Sequence, residues 1–413
     1  MANRRTGPLS VLVATVCLLV LVATNAEASR HSRLVPAAFV FGDSTVDVGN
    51  NNCLNVTAAA RANYPQYGID FPGSKPTGRF SNGFNTADLL ARGLGFTKSP
   101  PAYLSLSEKG IRSHMCKGIS FASAGSGLLD STGRVLFGEV IPMSVQLEHF
   151  SGVVDRMVKL SGQRKTAALL RKSIFFISTG SNDMFEYSAS SRADDDDDEA
   201  FLGALVDAYK HYIMVRTTYC SLQAALVINR QILLRPARIN SASALSQTCT
   251  QSLYEMGARK FSVISIPPLG CIPSQRLRRL KQLGTQGCFD PLNDLSLSSY
   301  PMLAGMLQQL SDQLPGMAYS LADAYAMVSF VFQNPRTEAW NFTDLEAACC
   351  GGGPFGAALA CNETAPVCAD RDEYLFWDAN HPSQAVSAIA AQTIFAGNQT
   401  FVNPVNVREL AML

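Results

Sequence analysis

Neither sign of charge dominates this sequence: 34 Lys and Arg stand against 33 Asp and Glu, a net charge of +1 over 413 residues. A polyanionic partner selects for a basic surface, so nucleic-acid binding is excluded as the chain's business. Long apolar runs are missing beyond the N-terminal region, and none of the later stretches is able to span a bilayer. Histidine is scarce, with five residues in all, which makes elimination a usable tool for any chemistry that needs an imidazole. Two common signatures are also absent. No Gly-x-Ser-x-Gly elbow occurs, and Gly73-Ser74-Lys75-Pro76-Thr77-Gly78-Arg79 carries Arg where a phosphate-binding loop needs Lys.

What is present begins with a hydrophobic content of 47%, enough for a large buried core. Arg4 and Arg5 precede an apolar stretch from Leu9 to Ala23 and a small-x-small site, Ala26-Glu27-Ala28. This reads as a secretory signal peptide over residues 1–28, with a mature chain from Ser29 carrying no transmembrane anchor. Losing Arg4, Arg5 and Glu27 takes the net charge from +1 to 0. The expected destination is extracellular, the cell wall included. In that oxidising setting disulfides are the default for the ten cysteines that remain after Cys17 is removed. Cys349, Cys350, Cys361 and Cys368 crowd a Gly-rich loop where two local bridges suit better than zinc, because adjacent Cys349 and Cys350 lack the spacer that lets both thiolates face one ion. Cys271 and Cys288 could close another loop. Four sequons, at Asn55, Asn341, Asn362 and Asn398, fit a glycosylated surface.

Five stretches read as buried strands: Ala37 to Phe41, Gly118 to Ala122, Ser173 to Ser178, Lys260 to Ile266 and Met317 to Ala322. Helical patterns separate several of them, which predicts a central parallel sheet with helices on both faces and sites at the C-terminal strand ends. The acidic run Asp194 to Glu199 is expected to be a solvated loop leading into a helix at Ala200. One segment breaks the pattern. Val215 to Gln251 contains four arginines and no Asp, Glu or Lys, with Pro236 in its middle. Joining Met214 to Ser252 restores a helical stripe, Tyr209, Ile213, Leu253 and Met256, that stops at Gly257. Residues 215–251 are therefore read as an insertion into a single domain over 29–413, through a retained intron or a gene-model error; a natural long loop is the alternative.

Gly42-Asp43-Ser44 closes the first strand, where a sharp turn and a helix starting near Ser44 would expose the hydroxyl beside free backbone N–H groups. Alone, these residues are also ordinary turn chemistry. A serine nucleophile needs a base. His31 is close to the mature N-terminus, His114 lies in a polar loop, and His149 and His211 sit in helix-like segments without a carboxylate to orient them. His381 differs, because Asp378 precedes it by three residues and Pro382 suits the start of a helix. A surface Asp and His bounding a helix explains the same residues equally well. Gly125 and Asn182, after the second and third strands, could join the Ser44 N–H as donors to an oxyanion. No metal or cofactor is called for.

Taken together, Phe39-Val40-Phe41-Gly42-Asp43-Ser44-Thr45-Val46-Asp47, Gly78-Arg79-Phe80-Ser81-Asn82-Gly83, Ser123-Ala124-Gly125-Ser126-Gly127, Gly180-Ser181-Asn182-Asp183 and Asp378-Ala379-Asn380-His381 resemble, in order, the motifs of the plant GDSL esterase/lipase family. The resemblance implies the SGNH hydrolase fold, a flavodoxin-like three-layer α/β/α domain whose parallel sheet has about five strands. It also implies hydrolysis of carboxylic esters of lipids, wall polysaccharides or small metabolites through an acyl-enzyme. By position it gives Ser44 as nucleophile, His381 as base, Asp378 as its orienting partner, and Ser44, Gly125 and Asn182 as the oxyanion hole. The sequence departs from the family in having Ser120 where Asn is common, Ala124 where Gly is common, and the segment 215–251. An acyltransferase using the same acyl-enzyme, or a catalytically silent secreted binding protein, are the competing readings.

Overall fold

The buried run Ala38–Gly42 forms strand β1, and it is paired in parallel with β2 (Ile174–Ser178), which pairs in parallel with β3 (Lys260–Ile264) and then β4 (Ala318–Ala322) in a computed structural model of the chain. The structure describes residues 33–190, 195–214 and 252–413. Two short strands, β5 (Asp344–Ala348) and β6 (Tyr374–Phe376), make a separate small parallel sheet, and β7 (Val402–Pro404) adds to β4. The main sheet therefore has the order β1-β2-β3-β4-β7.

Period-two alternation explains why helices cover both faces. Phe39, Phe41, Phe175, Ile177, Phe261, Val263 and Leu321 point into one core, against the helices Met143–Ser161, Asp195–Ile213 and Asp290–Gln313. Ala38, Val40, Ile174, Phe176 and Ala322 point the other way, toward the helices Thr86–Gly93, Gln384–Ala396 and Val407–Met412. The result is the three-layer α/β/α arrangement. Strand register aligns the exits from the sheet: Gly42 lies beside Ser178, Ser178 beside Ile264, and Ile264 beside Ala322, so the four loops leaving these strands emerge side by side.

Several sequence expectations need correction. Gly118 to Ala122 runs parallel to the outer edge of β1 but is not a strand of the sheet. Backbone bonds do tie it to β1, from the Val40 N–H to Ile119, the Phe121 N–H to Val40 and the Ser123 N–H to Gly42. The ladder nevertheless has a single bridge to β1, Val40 to Ser120, and the Asn50 side chain takes the Ser120 and Ala122 carbonyls on its other edge. The fifth strand is instead β7, and it is antiparallel. No helix starts near Ser44. Asp43 to Asp47 makes a single turn, because the Asp43 carboxylate takes the Thr45 N–H and Asp47 takes those of Gly49 and Asn50, where Gly49 has φ +125°. The acidic run is helical from Asp195 onward, consistent with carboxylates at a helix N-terminus. Pro382 stands ahead of the next helix, which Ser383 caps.

Disulfides join Cys271 to Cys288, Cys349 to Cys368 and Cys350 to Cys361. Cys53 and Cys116 remain thiols, against the expectation of general pairing, since the other six described cysteines bond among themselves. The expected signal peptide (1–28), His31, Asp194 and the segment 215–251 lie outside the described residues. On the flanks of that segment, Tyr209, Ile213, Leu253 and Met256 share one core cluster, Ser252 caps a new turn through Glu255, and Gly257 closes it. All four sequon asparagines are exposed. Among the described residues no helix is long and apolar enough to cross a membrane, and no cluster of His, Cys, Asp and Glu is arranged to hold a metal ion.

Candidate active site

The turn after β1 is forced by close packing. A Cβ on Gly42 would lie 1.9 Å from the Ser178 carbonyl oxygen, and the residue's φ of +138° admits little but glycine. Gln146 holds this turn from the side, accepting the Gly42 N–H at 2.9 Å and donating to the Gly42 carbonyl at 2.9 Å. Ser44 is thereby set at the end of β1, half-buried, with its Oγ 2.8 Å from Nε2 of His381. Its backbone N–H has no acceptor among the described residues.

His381 arrives from β6 through Trp377 and Asp378. The tight turn Asp378–His381 places Nδ1 of the imidazole 2.8 and 2.9 Å from the two oxygens of Asp378. With a carboxylate on that side, Nδ1 carries the proton and Nε2 faces Ser44 as an acceptor. Asp378 Oδ1 also accepts the N–H groups of Asn380 and His381, while Oδ2 accepts the Tyr67 hydroxyl at 2.7 Å. Burial pushes the Asp378 carboxyl up, but the His381 imidazole and these donors outweigh it and hold the group below its ordinary 3.8. Burial and the neighbouring Asp378 push the Tyr67 hydroxyl well above 10, so it stays a donor.

Gly125 has φ +83°, and a Cβ there would meet the Phe137 ring at 2.5 Å. The neighbouring Ala124 N–H is spent on Asp47 Oδ2, at 3.1 Å, which leaves the Gly125 N–H without an acceptor among the described residues. The Ala124 departure thus leaves the donor at Gly125 in place. Asn182 uses one amide hydrogen on the Ser126 carbonyl, at 2.8 Å, and has a second to offer. Its neighbour Asp183 accepts from the N–H groups of Leu128 and Leu129 and from the Thr132 hydroxyl, tying the loop that carries Gly125 to the helix that carries Asn182. Ser44, Gly125, Asn182 and His381 all line one cavity of about 390 Å³.

The structure thus brings together Ser44, Asp378, His381, Gly125 and Asn182, which the sequence scatters over more than three hundred residues. The other described histidines are elsewhere: His149 stacks on Tyr103 with centroids 4.6 Å apart, His114 bonds the Gly110 carbonyl, and His211 packs edge-on to Tyr212. Sequence reasoning missed Tyr67, Asp47, Gln146 and Asp183. Asp47 and Asp183 stand inside the Gly42 and Gly180 motifs, so buried acids beside a turn were the available signal. Nothing local marked Tyr67 or Gln146. Chemically, the arrangement offers a hydroxyl against an imidazole nitrogen, a buried carboxylate behind the ring, and three N–H donors lining a common space, which is what acyl transfer requires.

Comparison with known proteins agrees in kind. The pattern of the GDSL-like Lipase/Acylhydrolase family matches residues 39–394. Three Arabidopsis thaliana proteins illustrate the similarity. GDSL esterase/lipase At1g29660 is 35% identical over 387 residues, covering 92% of each chain. GDSL esterase/lipase At4g16230 is 31% identical over 407 residues, 98% of this chain and 99% of its own. GDSL esterase/lipase 7 is 32% identical over 412 residues, 98% and 100% of the two chains.

Proposed function

We propose, from the premise that the chain belongs to the GDSL-like lipase/acylhydrolase family, that this carboxylic ester hydrolase works through an acyl-enzyme on Ser44. In this reading Ser44 Oγ bonds to the ester carbonyl carbon as its proton passes to Nε2 of His381. The carbonyl π pair moves onto oxygen, where the N–H groups of Ser44 and Gly125 and the free amide hydrogen of Asn182 receive it. Collapse breaks the bond to the alcohol oxygen, which takes the proton from His381. Water then repeats the sequence with His381 as base and releases the acid. Asp378 keeps the imidazole in the tautomer that accepts from Ser44 and stabilises the imidazolium that forms. The observation that carries the reading is the 2.8 Å contact between Ser44 Oγ and His381 Nε2, with Asp378 behind the ring.

The same reading makes the mature chain, 29–413, one secreted domain, glycosylated on its exposed sequons, with residues 215–251 as an insertion. Transcript reads that uniformly carry that segment would overturn its origin in splicing. Ser44→Ala, with a wild-type circular dichroism spectrum and melting curve, tests the chemistry. Hydrolysis of a butyrate ester should fall by a factor of about 10³ or more, on the order seen when a serine nucleophile is removed, and an unchanged rate would refute the assignment.

A further inference from the structure

We propose that the cavity extends from the Ser44–His381 pair into an apolar slot shaped for an unbranched alkyl chain of the ester, and that Ala390 sets the chain length it accepts. This slot rests on the esterase reading and deepens it.

The helix Gln384–Ala396 starts directly behind His381. Val386, Ala390 and Ile394 all line the cavity, and their spacing of four puts them on one stripe of that helix. At about 1.5 Å per residue the stripe runs roughly 12 Å along the helix, close to the length of an extended chain of about ten carbons. Met327 and Val328, from the helix Ala324–Gln333 that follows β4, also line the cavity. A chain lying along the stripe therefore has apolar partners from two helices.

The rest of the lining sharpens the chemistry. Among the described residues the cavity wall holds no Lys, Arg or Glu. The one Asp in that wall is Asp43, which is 1% exposed and engaged by Thr45. A phosphate or free carboxylate would enter without a Lys or Arg to pair with. The wall also carries neutral polar side chains, Ser387, Thr86 and Gln275 among them, but the Val386, Ala390 and Ile394 stripe with Met327 and Val328 presents only apolar groups. An aliphatic chain loses nothing there and gains from burial. Ala390 is the smallest side chain of the stripe and its midpoint, so a larger residue at that position would close the outer half.

The test measures kcat/KM of the purified protein on two ester series assayed below their solubility limits. One varies the acyl chain as p-nitrophenyl esters; the other varies the alcohol chain of acetate esters. Full burial would give roughly fourfold per methylene. The expected result is a rise of at least about tenfold from four to ten carbons in one series, which also identifies whether the acyl or the alcohol chain occupies the slot. Ala390→Phe should then lower the ten-to-two-carbon ratio by about tenfold or more in that same series. If that variant does not fold, Ala390→Leu should shorten the preferred chain and Met327→Ala should lengthen it. A flat profile in both series, or an unaltered ratio in the variants, overturns the proposal. Absence of hydrolysis of every ester in both series by the folded wild-type protein would instead refute the esterase reading on which it rests.

Discussion

Tyr67→Phe should reduce kcat by about tenfold and leave KM nearly unchanged. The hydroxyl donates at 2.7 Å to Oδ2 of a carboxylate that is 5% exposed, and Tyr67 does not line the substrate cavity. A hydrogen bond to a charged group contributes about 1.5 to 3 kcal/mol. The lower value applies here, because Asp378 keeps three other donors, from the Asn380 and His381 backbones and from Nδ1 of His381. The phenylalanine ring would also keep the packing on Phe80, whose centroid is 5.8 Å away. About 1.5 kcal/mol corresponds to roughly tenfold in rate if the loss is expressed in the transition state. The physical route is orientation: with Oδ2 released, the carboxylate can turn away from Nδ1, and the imidazole loses its fixed aim at Ser44.

Stability supplies an independent readout of the same bond. The folded-state pKa of Asp378 is depressed below 3.8, so its stabilising contribution is present above that value and is lost as pH falls through the folded pKa. Removing the Tyr67 donor raises the folded pKa and moves the onset of that loss to higher pH. Urea unfolding of wild-type and Tyr67→Phe proteins at about pH 7 and pH 4, together with steady-state kinetics on a butyrate ester, measures both effects. Wild-type kcat combined with wild-type unfolding free energies at both pH values would refute the reasoning.

Two more predictions concern buried carboxylates. Asp43 and Asp47 are both pushed up to about 6 by burial. The folded state therefore binds more protons than the unfolded chain between about pH 4 and 6, and acidification through that window stabilises through these groups. His149, whose imidazole burial pulls below 6.5, works in the opposite direction. Asp47→Asn should accordingly flatten the gain in melting temperature from about pH 7 to pH 5 relative to wild type, and an identical slope would contradict the assignment. Asp183→Ala should destabilise by about 3 kcal/mol or more in urea, since it strands three donors in a buried site, and should lower kcat by loosening the loop of Gly125. Native stability and rate in that variant would count against the clamp.

The sequence was most informative where local chemistry and tertiary role coincide. Four of the five expected strands formed as short runs buried on both faces with apolar residues in the majority, and the Gly42 turn and the Asp378-to-His381 spacing act over a few residues. The Gly118–Ala122 segment has the composition of a strand and bonds to β1, yet the Ser120 and Ala122 carbonyls on its other edge go to the side chain of Asn50, 70 residues before Ser120, and it makes only one bridge to β1. β7 is three residues ending in proline, too short and too broken to register as a strand. Tyr67 and Asp378 are 311 residues apart, and Gln146 is 104 residues from Gly42. Contacts of that kind leave no periodicity to read, and only the folded chain brings them together.

The central claim, that Ser44 is an activated nucleophile, is tested most directly by covalent capture. A fluorophosphonate ester should add to the folded protein once, and mass spectrometry of its peptides should place the adduct on Ser44. His381→Ala, shown to be folded, should label far more slowly. An adduct on another residue, or labelling at the wild-type rate without the imidazole, would contradict the account.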